Sequence, residues 1–243
     1  MGTMPVARIA AAGLLLGAVA ILLIAGCSEK KGPPPPLAES KSPSVKPGPG
    51  PLPEQFPKSD RKPPRPKTLK NLEAALNGES AAKTRYAAFA VKAHEDGYED
   101  VANLFRAAAR AEEIHAGALA ELVAKMGEKP TPEVGIPDVK STAENLAAAL
   151  GGETEEFKAM YPSFIEAAKA EGEMDAVRVF TGAKAAEESH ARFYKDASDN
   201  LQKWKTDTRT FFVCGVCGNT VTELNFDKCP ICFAPKDKSE KIL

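Results

Sequence analysis

The chain has 243 residues and lacks an excess of charge of either sign, because 32 lysines and arginines oppose 33 aspartates and glutamates. A formal net charge of −1 argues against a nucleic-acid-binding protein, which needs a strongly basic surface. Five cysteines are too few for a disulfide-dense secreted scaffold, and long apolar runs are too few for a protein with several membrane spans. The remaining composition, 43% hydrophobic and 27% charged, is that of a globular protein and excludes a fibrous one.

The amino terminus has the pattern of an export signal. Arg8 precedes an uncharged apolar run over residues 9–24, which is short for a membrane-spanning helix. The run ends in Ile24-Ala25-Gly26-Cys27, which resembles the lipobox of bacterial lipoproteins. The resemblance implies a signal peptide over residues 1–26, lipid attached to Cys27, and a protein anchored to a membrane and facing the periplasm or the cell exterior. The alternative is a plain signal anchor with an incidental cysteine, and the choice between inner and outer membrane stays open.

Residues 27–67 are predicted to form a disordered tether. Thirteen of the 20 prolines lie between residues 28 and 67. Proline fixes φ and lacks an N–H, and few apolar side chains accompany it, so this segment cannot join a helix or build a core. Its nine basic and four acidic residues either attract it to anionic lipid head groups or simply keep it soluble. Residues 68–243 then carry a net charge of −7, which argues further against nucleic acid as a partner.

Residues 68–205 are predicted to form four long helices, because they are rich in Ala, Glu, Leu and Lys and are sparsely interrupted by Gly and Pro. The expected helices span about residues 68–96, 98–126, 142–171 and 173–203, with a long connection in the middle. One long crossover is typical of ferritin-like bundles. The predicted fold is therefore an all-α, ferritin-like four-helix bundle, followed by a small metal-binding domain over residues 206–243.

The predicted bundle consists of two copies of one helical hairpin. Residues 71–79 match residues 145–153 at an offset of 74, whereas the later matches, such as Gly97 with Gly172, have an offset of 75. Each copy carries one Glu on its first helix and Glu-x-x-His on its second. Because antiparallel helices rise about 1.5 Å per residue, all six side chains are expected at nearly the same height in the bundle. Two such sets are the ligands of carboxylate-bridged di-iron or di-manganese bundles. The predicted ligands are Glu79, Glu112, His115, Glu153, Glu187 and His190.

Three further residues lie on the same helix faces. Glu156 comes one turn after Glu153, where the first copy has an alanine, so the two metals are expected to be inequivalent. Tyr86 and Tyr161 follow the first glutamate of each copy by seven and eight residues, and they either line the metal cavity or pack in the core. The third histidine, His94, has no equivalent in the other copy and is predicted to lie on the surface.

Four cysteines predict a second metal site. Cys214-Gly215-Val216-Cys217 and Cys229-Pro230-Ile231-Cys232 are separated by 11 residues. Paired Cys-x-x-Cys knuckles are typical of a four-thiolate site, and so short a segment needs the metal for its folding free energy. The alternative in an oxidising compartment is a pair of disulfides. Spacing alone does not distinguish iron from zinc.

With both sites in view, residues 68–243 resemble the rubrerythrin family, in which a ferritin-like di-iron domain precedes a rubredoxin-like domain. The resemblance is carried by Gly78-Glu79-Ser80, by the run from Gly152-Glu153 through Met160-Tyr161-Pro162-Ser163-Phe164, by both Glu-x-x-His motifs and by the paired cysteines. It implies a di-iron site held by Glu79, Glu112, His115, Glu153, Glu156, Glu187 and His190. It also implies a single iron, with zinc as the alternative, held by Cys214, Cys217, Cys229 and Cys232.

The resemblance also implies individual roles. Glu112 and Glu187 bridge the two irons, while Glu156 and His115 alternate as ligands of one iron. Tyr86 and Tyr161 are hydrogen-bonding partners of the ligands.

The activity implied by the resemblance is a non-haem peroxidase that reduces hydrogen peroxide to water in oxidative-stress defence. Electrons would pass through the rubredoxin-like iron, commonly across a head-to-tail homodimer. Family members are usually cytoplasmic, so export predicts a different electron donor outside the cytoplasm, such as a cytochrome. The alternatives are a ferroxidase or iron-handling protein, and a non-catalytic anchored metal-binding module.

Two residues of the cysteine knuckles depart from the family pattern. Asn219 stands where rubredoxin-like knuckles often carry an aromatic residue, and Phe233 stands where a glycine is common. We expect these residues to alter the exposure and the reduction potential of the thiolate-bound iron.

Overall fold

The structure, a computed structural model, describes residues 66–206 and 209–242. The predicted signal peptide, the lipidation site Cys27 and the tether as far as residue 65 lie outside the described residues. Within the described ranges, every helix is too short or too polar to cross a membrane.

Four long helices form the predicted bundle. Short turns join the helices of each hairpin, and residues 126–141 form the long crossover between the hairpins. The third helix is continuous but contains a single π-helical turn. The helices are α1 (Lys67–Glu95), α2 (Glu99–Lys125), α3 (Thr142–Glu155) running through the π turn (Glu156–Met160) into α4 (Tyr161–Glu171), and α5 (Met174–Asp199).

The π turn explains why the offset between the two copies changes from 74 to 75. The change falls between Glu153 and Tyr161, so the second copy contains one additional residue in this interval. The N–H of Tyr161 donates to the carbonyl of Glu156, five residues earlier, which is the hydrogen bond of a π turn. Such a turn absorbs one residue without ending the helix. Tyr161 therefore returns to the helix face that Tyr86 occupies in the first copy.

Local signals define the helix ends. Gly97 and Gly172 occupy equivalent turns of the two hairpins with φ of 78° and 77°, a conformation that glycine adopts without steric cost. Ser141 caps α3 through a capping box, in which its side chain accepts from the N–H of Glu144. The long crossover therefore ends at a defined residue.

The core of the bundle consists of two apolar clusters. The first contains Tyr86, Phe105 and Tyr194, and the second contains Leu119, Tyr161 and Phe180 among others. Tyr86 and Tyr161 each reach a predicted metal ligand from their own cluster. The layer of ligands therefore lies between two apolar cores.

A short helix, α6 (Lys203–Thr206), and a small three-stranded antiparallel sheet follow the bundle. The sheet consists of β1 (Phe211–Cys214), β2 (Thr220–Val221) and β3 (Ser239–Ile242), in the order β2-β1-β3. Phe211 and Val213 of β1 pack into the first apolar cluster of the bundle, beside the buried Trp204. Arg110 of α2 also binds Glu240 of β3 through two hydrogen bonds of 3.0 and 2.7 Å. These contacts fix the cysteine-rich domain against the bundle. A 3-10 turn (Lys236–Lys238) precedes β3.

Candidate metal centres

Six of the ligands predicted for the bundle converge in its interior. They form two groups, and within each group the ligand atoms all lie within 4.8 Å of one another. Glu112 and Glu187 belong to both groups, which is the geometry of two metals bridged by two carboxylates. All six side chains are buried. One group is Glu79, Glu112, His115 and Glu187, and the other is Glu112, Glu153, Glu187 and His190.

The carboxylate oxygens in this cluster fit metal cations. Oε2 of Glu79, Oε1 of Glu112 and Oε2 of Glu153 are buried and have no hydrogen-bond partner. A buried polar oxygen without a partner is costly, so carboxyl groups that only served the fold would be paired. Carboxylate oxygen with imidazole nitrogen is the donor set that suits iron or manganese better than soft metals. The cluster is therefore a metal centre in its chemistry as well as its geometry.

The protonation states of the cluster follow from its burial. Burial, together with the charges of neighbouring carboxylates, raises the pKa of Glu79 and Glu112 well above the usual value. Burial also raises the pKa of Glu153, and the charge of Glu187 raises it further. The raised pKa values favour the protonated forms of these groups without metal, and binding of a cation displaces such protons.

Glu187 is the ionised member of the cluster. Burial alone would raise its pKa, but the charges and hydrogen bonds of His115 and His190 outweigh burial and hold the pKa at about 2. Burial would lower the pKa of both histidines, yet the facing carboxylates raise it to about 10 for His115 and about 9 for His190. Without metal, one carboxylate therefore stands between two imidazolium rings.

Tyr86 and Tyr161 reach the ligands of the opposite copy. The hydroxyl of Tyr86 donates to Oε1 of Glu153 at 2.7 Å, and the hydroxyl of Tyr161 donates to Oε1 of Glu79. Burial, followed by the charge of the carboxylate it contacts, raises the pKa of each tyrosine well above its usual value. Both hydroxyls therefore stay protonated and hold one glutamate each.

The structure does not bring Glu156 into either ligand group. This residue begins the π turn and is half-buried, in contrast to the other six. Burial raises its pKa well above the usual value, and the charges of Glu79 and Glu153 raise it further. Glu156 therefore lies at the edge of the cluster, close to the ligands but outside the set that includes His115.

Two residues that belong to none of the sequence motifs also lie at the site. Arg85 is half-buried, with its guanidinium carbon 5.4 Å from the centre of the Tyr86 ring and within electrostatic range of Glu156. Tyr194 is fully buried four residues after His190, and its hydroxyl has no hydrogen-bond partner. In the sequence, only the spacing of four residues from His190 indicates that Tyr194 lies on the same helix face as a ligand.

The cysteine-rich domain supplies the outer hydrogen-bond partner of His115. Nε2 of His115 lies 3.0 Å from the carbonyl oxygen of Cys217, and a carbonyl can only accept, so Nε2 carries the proton. Nδ1 then faces Glu112 and Glu187, each at 3.0 Å. The contact thus fixes the tautomer in which Nδ1 is free to bind a metal.

Gly218 permits this close approach. Its φ is +74°, and a Cβ built at this position would overlap the His115 ring, lying 3.0 Å from both Cδ2 and Cε1. Any side chain would therefore push the knuckle away from the bundle. Nothing in the sequence distinguishes this glycine from an ordinary knuckle residue.

The four cysteines lie together as free thiols. Their sulfur atoms all lie within 4.8 Å of one another, and the pairs Cys214–Cys232 and Cys217–Cys229 are each 3.7 Å apart. A disulfide is about 2.05 Å long, so the structure supports the four-thiolate site and not the two disulfides. Four sulfurs at this spacing fit one tetrahedral metal ion.

The two knuckles form the same backbone hydrogen bond. Gly218 donates its N–H to the carbonyl of Cys214, and Phe233 donates to the carbonyl of Cys229 in the same way. Phe233 accordingly has a φ of 60°, the value that suits the glycine expected there, and its ring is 72% exposed. Asn219 is buried, with its side-chain nitrogen 3.8 Å from the sulfur of Cys229.

Comparisons with known proteins agree with this geometry. The sequence profile of the family named Rubrerythrin matches residues 70–198. Nigerythrin from Nitratidesulfovibrio vulgaris is 46% identical over 173 residues, which cover 70% of this chain and 84% of that protein. Rubrerythrin from Porphyromonas gingivalis is 35% identical over 182 residues, which cover 70% of this chain and 87% of that protein.

Solved structures show the same fold. The fully reduced, all-ferrous structure of nigerythrin is 42% identical and has a TM-score of 0.68, covering 76% of this chain and 91% of that one. A bacterioferritin from Desulfovibrio desulfuricans, at 20% identity and a TM-score of 0.54, covers 58% of this chain and 82% of that one and shares the bundle fold alone. From the matched profile, the similar relatives and the two metal centres, the chain belongs to the rubrerythrin family.

Proposed function

We propose that this protein is a di-iron peroxidase that reduces hydrogen peroxide to water and receives its electrons through an iron bound by the four cysteines. The observation that carries this proposal is the contact between the two metal centres. Cys217, a ligand of one centre, accepts a hydrogen bond of 3.0 Å from His115, a ligand of the other. Membership of a family of di-iron oxidoreductases supports the same reaction.

Iron is the metal we propose for both centres. Reduction of peroxide follows H₂O₂ + 2 H⁺ + 2 e⁻ → 2 H₂O, and two ferrous ions in the bundle would supply both electrons. The bundle offers the oxygen and nitrogen donors that suit iron, and four thiolates also accept iron. The all-ferrous state of a 42% identical relative supports this assignment.

The side chains around the bundle site have distinct roles in this proposal. Tyr86 and Tyr161 hold Glu153 and Glu79 in place through their hydroxyl protons. Glu156 is half-buried at the edge of the cluster, and burial gives it a high pKa, so it can hold a proton and exchange it with solvent. Family resemblance implies that His115 and Glu156 alternate as ligands of one iron. The structure has the arrangement in which His115 lies in the ligand group and Glu156 lies outside it.

Electron delivery favours peroxide reduction over iron storage. The path from the Cys217 sulfur to Nδ1 of His115 crosses covalent bonds and a single hydrogen bond. A ferroxidase that stores iron passes electrons from ferrous ions to oxygen and has no need of such an input. The packed contact also distinguishes this protein from a simple metal-binding module, in which the two domains need not touch.

We further propose that the mature chain begins at a lipidated Cys27, lies on the outer side of a membrane and acts as a homodimer. NAD(P)H is absent outside the cytoplasm, so the donor would be an extracytoplasmic carrier such as a cytochrome. Radiolabelled palmitate incorporation that depends on Cys27 tests the anchor, and light scattering tests the dimer. Reduction by cytoplasmic NADH-linked reductases alone, and by no periplasmic carrier, would contradict the donor.

Metal analysis followed by stopped-flow oxidation tests the proposed reaction. We expect two irons in the bundle, one iron in the cysteine site with a ferric-thiolate visible band, and faster oxidation of the reduced protein by peroxide than by oxygen. Faster oxidation by oxygen would favour the ferroxidase. Zinc in the cysteine site would exclude electron transfer through that site. Absence of peroxide turnover with a supplied reductant would favour a non-catalytic metal-binding protein.

A further inference from the structure

We propose that Thr220 is a positioning residue of the bundle metal centre, and that through it the cysteine-rich domain couples the two centres. Filling of the cysteine site would then tighten metal binding in the bundle. This inference rests on the proposed function only in taking the bundle residues as metal ligands. It concerns affinity, and it does not depend on which oxidant the protein uses.

The hydroxyl of Thr220 has one suitable arrangement of its hydrogen bonds. Oγ1 of Thr220 lies 2.9 Å from Nε2 of His190 and 3.2 Å from the carbonyl oxygen of Gly218. The carbonyl can only accept, so the hydroxyl donates its proton there and accepts from Nε2–H of His190. Nδ1 of His190 is thereby left facing Glu187 at 2.9 Å, in the tautomer that binds a metal.

Burial makes this contact important. His190 is completely buried and Thr220 is 1% exposed, so water cannot replace the hydroxyl. A residue without a hydroxyl would leave Nε2–H unpaired in the interior, which favours the wrong tautomer or a rotated ring. Loss of such an outer partner typically weakens metal binding by about 10- to 100-fold.

The position of Thr220 depends on the cysteine site. Thr220 opens β2 and pairs with Val213 of β1, and Cys217 lies three residues before it. The cluster of buried residues around the cysteines consists of Cys214, Cys217 and Cys229 themselves, so bound metal organises this segment.

The same segment provides the partners of both bundle histidines, since Cys217 holds His115 and Thr220 holds His190. An empty cysteine site therefore removes both. Because linkage is reciprocal, metal in the bundle also tightens binding at the cysteine site by the same factor.

The test measures metal affinity in the full-length chain. One equivalent of Zn²⁺ fills the cysteine site, because thiolates select zinc over manganese. Mn²⁺ is then titrated into the bundle and followed by the loss of the EPR signal of free Mn²⁺. Thr220→Val removes the hydroxyl, Thr220→Ser keeps it, and Thr222→Val makes the same change at an exposed threonine of the same domain.

We expect Thr220→Val to weaken Mn²⁺ binding by about 10- to 100-fold, with Thr220→Ser and Thr222→Val close to wild type. Unchanged affinity in Thr220→Val, or an equal loss in Thr220→Ser, would overturn the role of the hydroxyl. Circular dichroism confirms that each variant keeps its helices. The serine variant separates the hydroxyl from the packing of the methyl group.

A second arm tests the coupling. Cys229→Ser disrupts the cysteine site and is titrated without added Zn²⁺, which would otherwise compete for the bundle ligands. It should weaken Mn²⁺ binding at least as much as Thr220→Val, because both histidines lose their partners. Wild-type Mn²⁺ affinity in Cys229→Ser would refute the coupling. If Thr220→Val weakens binding but the wild-type protein turns over no peroxide, only the proposed function fails. If peroxide turnover is present and Thr220→Val binds normally, only this inference fails.

Discussion

The two metal centres of this protein are built in opposite ways. The bundle ligands stand on long helices between two apolar clusters, each containing several large buried side chains. In the cysteine-rich domain the buried cluster is formed by the ligands themselves, with only Ile231, Cys232 and Ala234 packed against it. The bundle ligands therefore stand on a packed apolar scaffold, whereas the cysteine-rich domain has little buried apolar surface apart from the β1 residues that pack on the bundle. We therefore expect this domain to depend on its metal for folding.

The difference extends to charge and exposure. The bundle site is buried and crowded with carboxylates whose pKa burial raises, so its metal must displace protons. The cysteine site lies near the surface, where Cys232 is half-buried and both Val216 and Phe233 are exposed. A buried centre suits reaction with a small oxidant, and an exposed one suits contact with an electron donor. In the proposed function, the buried centre would react with peroxide and the cysteine site would receive the electrons.

The largest expected effect comes from removing one cysteine ligand. Cys229→Ser should unfold the region around β1–β3, because a structural four-thiolate site contributes about 10–16 kcal/mol of metal-binding free energy in small zinc domains. The matched change in the bundle, Glu79→Gln, should leave all four long helices protected. Hydrogen exchange measured by mass spectrometry distinguishes the two variants. If β3 stayed protected from hydrogen exchange in Cys229→Ser, the cysteine-rich domain would not depend on its metal any more than the bundle does.

A smaller effect should separate two glutamates that share the same cluster. Without metal, Glu187 is ionised between two protonated histidines, whereas burial keeps Glu112 protonated. Glu187→Gln should lower the free energy of unfolding of the metal-free protein by about 3–5 kcal/mol, because it leaves buried charges unpaired. Glu112→Gln should be nearly neutral. Urea denaturation with a chelator at neutral pH measures both, and equal losses would contradict these charge states.

The stability added by metal in the bundle should grow with pH. The folded-state pKa values of Glu79, Glu112 and Glu156 are raised, so their contribution to metal-free stability is present below about pH 4.5 and is lost as pH rises. The pKa values of His115 and His190 are also raised, to about 10 and about 9. Their contribution to metal-free stability is therefore complete below about pH 6.5 and is lost as pH rises through these values. Metal binding needs the deprotonated ligands and therefore tightens over the same range.

Calorimetry from pH 5 to pH 8 measures this effect as the gap in Tm between metal-loaded and metal-free protein. Each proton displaced by metal adds about 1.4 kcal/mol of metal-binding free energy per pH unit. In a protein of this size, each kcal/mol of added stability raises Tm by about 2–4 °C. The cysteine variant Cys229→Ser keeps the bundle carboxylates and should show the same direction. A gap that stays constant or narrows would mean that the bundle carboxylates are ionised before metal binds.

The smallest expected effect concerns the strained knuckle of the cysteine site. Phe233 has a φ of 60°, which costs a bulky residue about 1–2 kcal/mol, while Gly218 fills the equivalent position of the other knuckle. Phe233→Gly should stabilise the domain by about 1 kcal/mol. Phe233→Ala removes the ring but keeps the strain, so it should not stabilise. The rate of metal loss to a chelator measures both variants, and a stabilised Phe233→Ala would assign the effect to the ring instead.

The bundle could be predicted because helical periodicity and the internal repeat are both patterns of the sequence itself. The Glu-x-x-His spacing puts Glu112 and His115 on one helix face, and the repeat doubles that information for Glu187 and His190. The change of offset from 74 to 75 was visible, but only the structure identified it as the π turn beginning at Glu156. Glu156 was expected among the ligands and lies outside both ligand groups.

The contacts between the domains could not be predicted in this way. Thr220 and the carbonyl of Cys217 meet the histidines because β1 packs into the bundle core, and docking of this kind leaves no periodic pattern. Gly218 is required by the nearby His115 ring, which lies more than 100 residues away in the sequence. The pairing of Tyr86 and Tyr161 with the opposite copy likewise depends on how the helices pack.

The hydrogen bond between the Cys217 carbonyl and His115 links the two centres, and stopped-flow oxidation of the fully reduced protein tests its role in electron transfer. The measurement follows the di-iron absorbance and the ferric-thiolate band after mixing with peroxide, in wild type, Gly218→Ala and the control Gly182→Ala, where the nearest atom to a new Cβ is 3.9 Å away. We predict that Gly218→Ala slows the thiolate band by about tenfold or more, because a displacement of about 1 Å is enough to impair a positioned transfer. In samples loaded to full iron occupancy, initial di-iron oxidation should slow less than the rise of the thiolate band, and Gly182→Ala should match wild type. A thiolate band that rises equally fast in Gly218→Ala would show that electrons do not pass through this contact.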